Sequence, residues 1–208
     1  MNPKPDPNPA CCFFDQIYSH AAGNDGNIPW QQAISRRFVG DWLGLGGASR
    51  VASSSHKQAV VVAAGLGDDA SALAANGFDV TAFDFSPAAV GWARSRHQGV
   101  PVDWHVADLF STPAEWRGAF DLVMEVFTIQ SIEPGRQIEA VDAVRSLLRP
   151  GGTLLAVALV HDGQIEPQGR PWPLAPSTIE RLAERLHQAD YRSEVVGDHT
   201  TCVLLELT

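Results

Sequence analysis

Cysteine is scarce: three in 208 residues, Cys11 and Cys12 adjacent and Cys202 far from both. An adjacent pair is poorly shaped for an ordinary structural disulfide, and the three lack metal-ligand spacing, so a disulfide scaffold and a cysteine metal site are both excluded and free thiols are expected. Long apolar runs are missing too. None approaches the roughly 20 residues of a membrane span, and the start, MNPKPDPNPA, lacks the charged-then-apolar order of a secretory signal, so a cytoplasmic protein with no membrane partner is expected. Basic residues are outnumbered, with 15 Lys and Arg against 24 Asp and Glu and a formal net charge of −9. Phosphate backbones are held by clustered Lys and Arg, so a nucleic-acid substrate is not expected. No internal repeat, Ser-His-Asp pattern or metal cluster is present.

What remains is an ordinary composition, 45% hydrophobic and 19% charged, enough for one sizeable core and one domain. Met1 to Pro9 alternates proline with polar residues and cannot build a core, so residues 1–10 are expected to be a disordered tail and 11–208 a single domain.

The chain is arranged around Val60 to Phe85. Val60 to Ala64 is a β-branched apolar run, as expected of a parallel strand buried on both faces. Gly65 and Gly67 permit a tight turn and close approach of a ligand to the backbone, and Asp68 and Asp69 suit the positive end of the helix that follows. Gly77 ends that helix, and Phe78 to Phe85 returns as a strand that delivers Asp84 to the sheet edge where open α/β folds bind ligands. Asp84 lies 17 positions after Gly67, near the spacing at which an acid binds a ribose.

Two ligand classes compete for this turn. Gly65 to Ala70 fits a G-x-G-x-x-A dinucleotide fingerprint. A dinucleotide, however, sets its pyrophosphate on the helix N-terminus, beside Asp68 and Asp69, at a cost of roughly 1 kcal/mol or more per close pair. A sulfonium ligand carries no phosphate and meets no such cost. The fold-neutral alternative is that the two acids merely suit a first helical turn.

The rest of the chain extends an alternating pattern. Phe13, Phe14, Ile17 and Tyr18 have helical spacing, and a second helix carries Ala33, Ile34, Phe38, Trp42 and Leu43. Ser86-Pro87 caps and opens a helix after the second strand. Strands follow at Val100–Val106, Phe120–Phe127 and Thr153–Val160, the last preceded by an Arg149-Pro150-Gly151-Gly152 turn. A helix over Pro134–Leu148 lies between the last two. The proline-rich stretch from Gln164 to Pro176 reads as a substrate-side loop. A helix over Ser177–Gln188 then precedes two strands, Tyr191–Val196 and Thr200–Leu207, close enough to form an antiparallel hairpin at one edge. A dinucleotide oxidoreductase more often adds another βαβ half.

These residues resemble the class I S-adenosylmethionine-dependent methyltransferases, whose first motif is usually G-x-G-x-G after a strand; here it reads Ala63-Ala64-Gly65-Leu66-Gly67, with alanine at the first glycine. Within the class the chain looks most like the small bacterial branch related to thiopurine, thiol and halide methyltransferases. Six blocks carry that likeness in family order: Ile28-Pro29-Trp30, GLGDDA, VTAFDFSPAAV, VADLF, LRPGGTLL and RPWPL. The resemblance implies a Rossmann-like three-layer α/β sandwich with a seven-stranded, mostly parallel sheet and an antiparallel last strand. It implies S-adenosyl-L-methionine as cofactor, held by Trp30, Ala63, Gly65, Gly67, Asp84, Phe85, Ser86, Asp108, Leu109 and Glu125. Residues 11–50 correspond to a helical lid, with Trp30 as an aromatic cap or, alternatively, a core residue. Asp108 and the backbone N–H of Leu109 inherit the adenine-binding roles, against the simpler reading of Asp108 as a turn cap.

Methyl transfer from a sulfonium is an in-line displacement, so alignment and exclusion of water matter most, and no covalent intermediate or metal is needed. A thiol or halide acceptor needs no general base, whereas a hydroxyl does. Two candidates stand at strand ends: His161 after the fifth strand and Glu125 near the end of the fourth. The leading expectation is methyl transfer to a small thiol, thiopurine-like or halide acceptor. Alternatives are an O- or N-methyltransferase with His161 or Glu125 as base, an NAD-dependent oxidoreductase, and an inactive cofactor-binding regulator.

Overall fold

The computed structural model describes residues 9–21, 23–28, 33–51, 56–164 and 169–208. In chain order the elements are α1 (Pro9–His20), α2 (Ala33–Gly44), the single-turn α3 (Gly47–Arg50), β1 (Lys57–Val62), α4 (Asp68–Ala75), β2 (Phe78–Asp84), α5 (Pro87–Arg96), β3 (Val102–Val106), β4 (Phe120–Val126), α6 (Gln137–Leu147), β5 (Leu148–His161), α7 (Pro176–Ala183), β6 (Gln188–Gly197) and β7 (Thr200–Leu207). The helix α1 begins at Pro9, so the last two residues of the expected tail are helical; proline is tolerated in a first turn.

The seven strands form one sheet in the order β3-β2-β1-β4-β5-β7-β6. Pairings from β3 through to β5 are parallel, while β7 runs antiparallel to both β5 and β6. The antiparallel hairpin is therefore at one edge as expected, with its second strand inserted inside its first. Alternation along β1 explains why the strand reads as continuously apolar. Ala59 and Val61 pack with Phe38, Trp42, Leu73 and Val90 on one face of the sheet. Val60 and Val62 pack with Val141, Val144, Leu147 and Leu182 on the other. Both faces are covered by helices, which makes three layers.

Several boundaries differ from the sequence reading. β5 starts at Leu148, and Arg149 to Gly152 bulge out of the ladder between the pairs Phe120–Leu148 and Leu122–Thr153. α7 stops at Ala183, five residues short of the expected end, because Arg185 takes a left-handed backbone (φ +60°) and His187 exchanges both backbone hydrogen bonds with Thr208. Gln188 thus belongs to β6.

The helices α2 and α3 are fastened to the sheet by a buried carboxylate. Glu206 on β7 accepts from Trp42 Nε1 (2.8 Å) and from Arg50 Nη2 (2.5 Å) and Nε (3.2 Å). Trp42 and Glu206 are almost wholly buried, at 0% and 1% exposure, whereas the Arg50 side chain is 42% exposed. Among the described residues no helix is long and apolar enough to cross a membrane. Truncating Glu206 to Ala leaves the Trp42 N–H with neither partner nor water, while Arg50 can turn to solvent. Glu206→Ala should therefore cost about 2–3 kcal/mol, and Trp42→Phe, which leaves the carboxylate on Arg50, clearly less than its volume loss plus that amount. Urea unfolding of both variants measures this, and a Glu206→Ala midpoint equal to wild type would contradict it.

Candidate active site

The strand order reverses between β1 and β4, the place where ligands bind in open α/β sheets. The glycine turn stands there. Ala63, Gly65 and Gly67 all have left-handed backbones, with φ of +48°, +53° and +81°. Alanine at the first position is held in a conformation that glycine adopts freely, at a cost of roughly 1–2 kcal/mol. The other two glycines are needed sterically as well. A Cβ on Gly67 would lie 2.3 Å from the Trp104 ring, and one on Gly65 would lie 2.9 Å from the Tyr18 hydroxyl.

Asp84 at the end of β2 fixes the turn. Its Oδ2 accepts from Gly65 N (3.0 Å) and its Oδ1 from Ser86 N (2.9 Å). Burial raises its pKa to about 6, opposed by hydrogen bonds from the backbone of Ser86, Gly65 and Phe85. A carboxylate offers about four lone-pair sites, so about one remains for a ligand once these bonds are made. Asp68, beginning α4, is neutralised by Arg36 (2.7 Å) and Arg96 (3.0 Å). Asp69 beside it has its pKa raised to about 6 by burial and by the charge of Asp68.

The helix α1 closes over this turn. Asp15 Oδ1 accepts from Ser86 Oγ (2.6 Å) and Ala88 N (3.1 Å), which places a carboxylate on the N-terminus of α5. Tyr18 is buried with Leu66 and Ala89, and Phe14 meets Phe85 edge to face at 5.7 Å. Sequence spacing marked Phe14 and Tyr18 only as a helix's apolar side, and it gave no sign of Asp15.

Two cavities adjoin here, of about 380 and 270 Å³. Both are walled by Phe14, Ala63, Phe85, Thr128, Ser131 and Arg170. Of the expected cofactor residues, Ala63, Gly65, Gly67, Asp84 and Phe85 line the larger cavity, and Ala63, Phe85, Asp108 and Leu109 the smaller. Asp108 also caps the following 3-10 turn through Phe110 N (3.0 Å), the simpler of the two readings of it. Trp30 lies outside the described residues.

Three expected site residues stand off the walls. Ser86 is fully buried and spends its hydroxyl capping α5 at Ala89 N (3.1 Å) and donating to Asp15. His161, the last residue of β5, is buried rather than on a surface loop, and its Nδ1 accepts from Gly163 N (3.1 Å). Glu125 is 0% exposed; its Oε1 accepts from Thr128 N (2.6 Å) and Ile129 N (3.0 Å), while Oε2 has no hydrogen-bond partner among the described residues. Glu125 therefore shapes the loop after β4 that supplies Thr128 and Ser131 to the walls. Arg170, in the RPWPL block, borders both cavities. The only hint of it in the sequence was one cation set among proline and tryptophan.

Residues 59–152 match the model of a methyltransferase domain. The chain is similar in fold to the N-methyltransferase NodS of Bradyrhizobium japonicum, solved with S-adenosylhomocysteine, with TM-score 0.72, 19% identity, and 96% and 98% of the two chains covered. It is similar as well to the 1,6-didemethyltoxoflavin-N1-methyltransferase of Burkholderia thailandensis, also with S-adenosylhomocysteine, at TM-score 0.67, 17% identity, and 100% and 93% coverage. The [4+2]-cyclase SpnF matches at TM-score 0.69, 20% identity, and 94% and 93% coverage. No curated protein sequence matches the chain. The fold is that of these methyltransferases, and the cofactor that a methyltransferase domain over residues 59–152 implies is S-adenosylmethionine.

The residues present fit that group. The cradle over Gly65 is one that an added Cβ would fill, and the acids Asp69 and Asp84 on the larger cavity complement a ligand bearing ammonium and sulfonium charges. Ala63, Gly65, Gly67, Asp84, Phe85, Asp108 and Leu109 line the two cavities and are the residues that would hold it.

Glu125 gives a test of this local structure through pH. Burial raises its pKa from 4.5 to about 7, against the hydrogen bonds from Ile129 and Thr128. Between those values the folded protein keeps a proton that the unfolded chain has lost. Glu125's contribution is therefore fully present below about pH 4.5 and lost as pH rises to about 7, a fall of about 3 kcal/mol. Asp84 and Asp69, raised to about 6, add to the slope at its acidic end. Glu125→Gln should flatten the decline of unfolding free energy between pH 5 and 7. An unchanged slope would contradict the assignment.

Proposed function

We propose that the protein transfers a methyl group from S-adenosylmethionine to a small soft nucleophile, a thiol, a thiopurine-like compound or a halide. The bound cofactor supplies an electrophilic methyl on a sulfonium. The chain's own part is alignment and exclusion of water, which can contribute up to roughly 7–11 kcal/mol. The glycine turn, Asp84, Thr128, Ser131, Phe14 of α1 and Arg170 wall the ligand space.

The observation that carries the reading is the withdrawal of the two residues best placed along the chain to act as bases. His161 is absent from both cavity walls, and Glu125 is sealed beneath the loop that it caps. An acceptor that arrives ionised, or a halide, needs neither. This weighs against a hydroxyl acceptor that depends on His161 or Glu125. A second reading has its own support: NodS and the toxoflavin enzyme are both named as N-methyltransferases, and an unprotonated nitrogen likewise needs no base.

The test is formation of methylated product and S-adenosylhomocysteine with a panel of thiol, halide, aromatic amine and phenol. Thiol or halide turnover is expected to exceed the others. On the best acceptor, His161→Gln and Glu125→Gln should each cost less than roughly tenfold in turnover and leave the pH profile in place. A preference for the phenol, or a loss on the order of a hundredfold that removes one limb of the profile, would overturn the reading. Amine turnover alone would establish the second one.

A further inference from the structure

We infer that Arg170 reads the methyl acceptor, and that the acceptor is a planar aromatic anion. The inference rests on the methyltransferase reading above and narrows it.

Arg170 is an unusual cation for this surface. Its guanidinium carbon lies 4.6 Å from the ring centre of Phe13, 5.0 Å from that of Phe14 and 5.0 Å from that of Trp172. Among the described residues these rings are its contacts, with no ion pair and no hydrogen bond. The other arginines near the cavities are paired: Arg36 with Asp68 at 2.7 Å and Arg136 with Glu139 at 2.8 Å. Burial pulls the Arg170 pKa below the ordinary guanidinium value, and only the more distant charge of Glu133 opposes it. The group stays protonated all the same, since guanidinium does not lose its proton in proteins.

Three aromatic rings therefore hold a charged fork on the shared wall of two cavities and leave its N–H donors unmatched. A guanidinium presents these donors in a plane that suits a carboxylate or another delocalised anion. The neighbouring walls, Phe14, Phe85 and Pro171, are flat and apolar, and such surfaces take an aromatic ring. The cofactor brings a further positive charge into the same space. A neutral acceptor would leave Arg170 opposed only by the charge of Glu133, whereas an anionic one meets its donors directly. The negative charge sits either on a carboxylate substituent or on the nucleophile itself, as in an aryl thiolate; the recognition chemistry is shared.

The experiment is equilibrium binding to protein saturated with S-adenosylhomocysteine, by calorimetry, using benzoate, benzamide and benzenethiolate as probes. Benzoate or benzenethiolate should bind at least tenfold more tightly than benzamide. In Arg170→Gln that gap should shrink to within about twofold, with S-adenosylhomocysteine affinity unchanged; Arg170→Lys, which keeps the charge but not the fork, should fall between. Gain by benzoate assigns the charge to a substituent, and gain by benzenethiolate alone assigns it to the nucleophile. Equal binding of all three probes to wild type overturns the inference, as does an Arg170→Gln variant that loses S-adenosylhomocysteine affinity instead, which would place Arg170 on the cofactor. Failure of wild type to bind S-adenosylhomocysteine at all would be a different result, removing the underlying reading as well.

Discussion

The Asp84 carboxylate, almost wholly buried, grips two backbone N–H groups, Gly65 on one side and Ser86 on the other. This pair of bonds joins the two loops that any ligand of the site must touch: the turn after β1 and the start of α5 after β2. Such an arrangement is costly. Burial, helped by the charge of Asp15, pushes the carboxyl towards its neutral form, and the backbone donors pull it back. The strained Ala63 in the same turn, at φ +48°, persists because its neighbours are pinned, Ala64 N to Phe83 O at 2.8 Å and Gly65 to Asp84.

From that clamp the rest of the site follows outward. Ser86, oriented by its place after Asp84, caps α5 and receives Asp15 of α1, so the covering helix is registered on the same loop that the clamp holds. Tyr18 then sits against Gly65, which is why that position tolerates no side chain. On the far side, Glu125 does for the loop after β4 what Asp84 does for the glycine turn: a buried carboxylate accepts two successive backbone N–H groups. The two carboxylates at the ends of β2 and β4 are thus scaffolding for the walls, and the chemistry falls to what those walls enclose.

The parts of this that sequence reveals are the local ones. A strand, a glycine turn and a helix in immediate succession are recognisable from Val60 to Ala74, and the strand-end position of Asp84 follows from counting. The hairpin of β6 and β7 was readable from its short connection, but not the insertion of β7 between β5 and β6, which depends on pairing across the whole sheet. Counting to a strand end locates Glu125 and His161 but not the side to which each turns. Period two puts Glu125 on the face of Val123, where it is buried beneath the backbone of Thr128 and Ile129. Contacts such as Trp42 with Glu206, 164 residues apart, leave no trace in periodicity. The end of α7 is hidden for the same reason, because it is set by His187 meeting Thr208 rather than by any breaker nearby.

The central claim is that the Asp84 clamp holds the glycine turn in the shape that accepts the cofactor. Its most direct test is the affinity of S-adenosylhomocysteine for wild type and Asp84→Asn, by calorimetry at pH 8, where the carboxylate is ionised. In the variant an amide N–H faces a backbone N–H on one side, at a cost of roughly 1.5–3 kcal/mol. The account predicts a folded variant with cooperative unfolding and an affinity lowered about tenfold to a hundredfold. Wild-type affinity in the variant, or no binding by wild type, would contradict it.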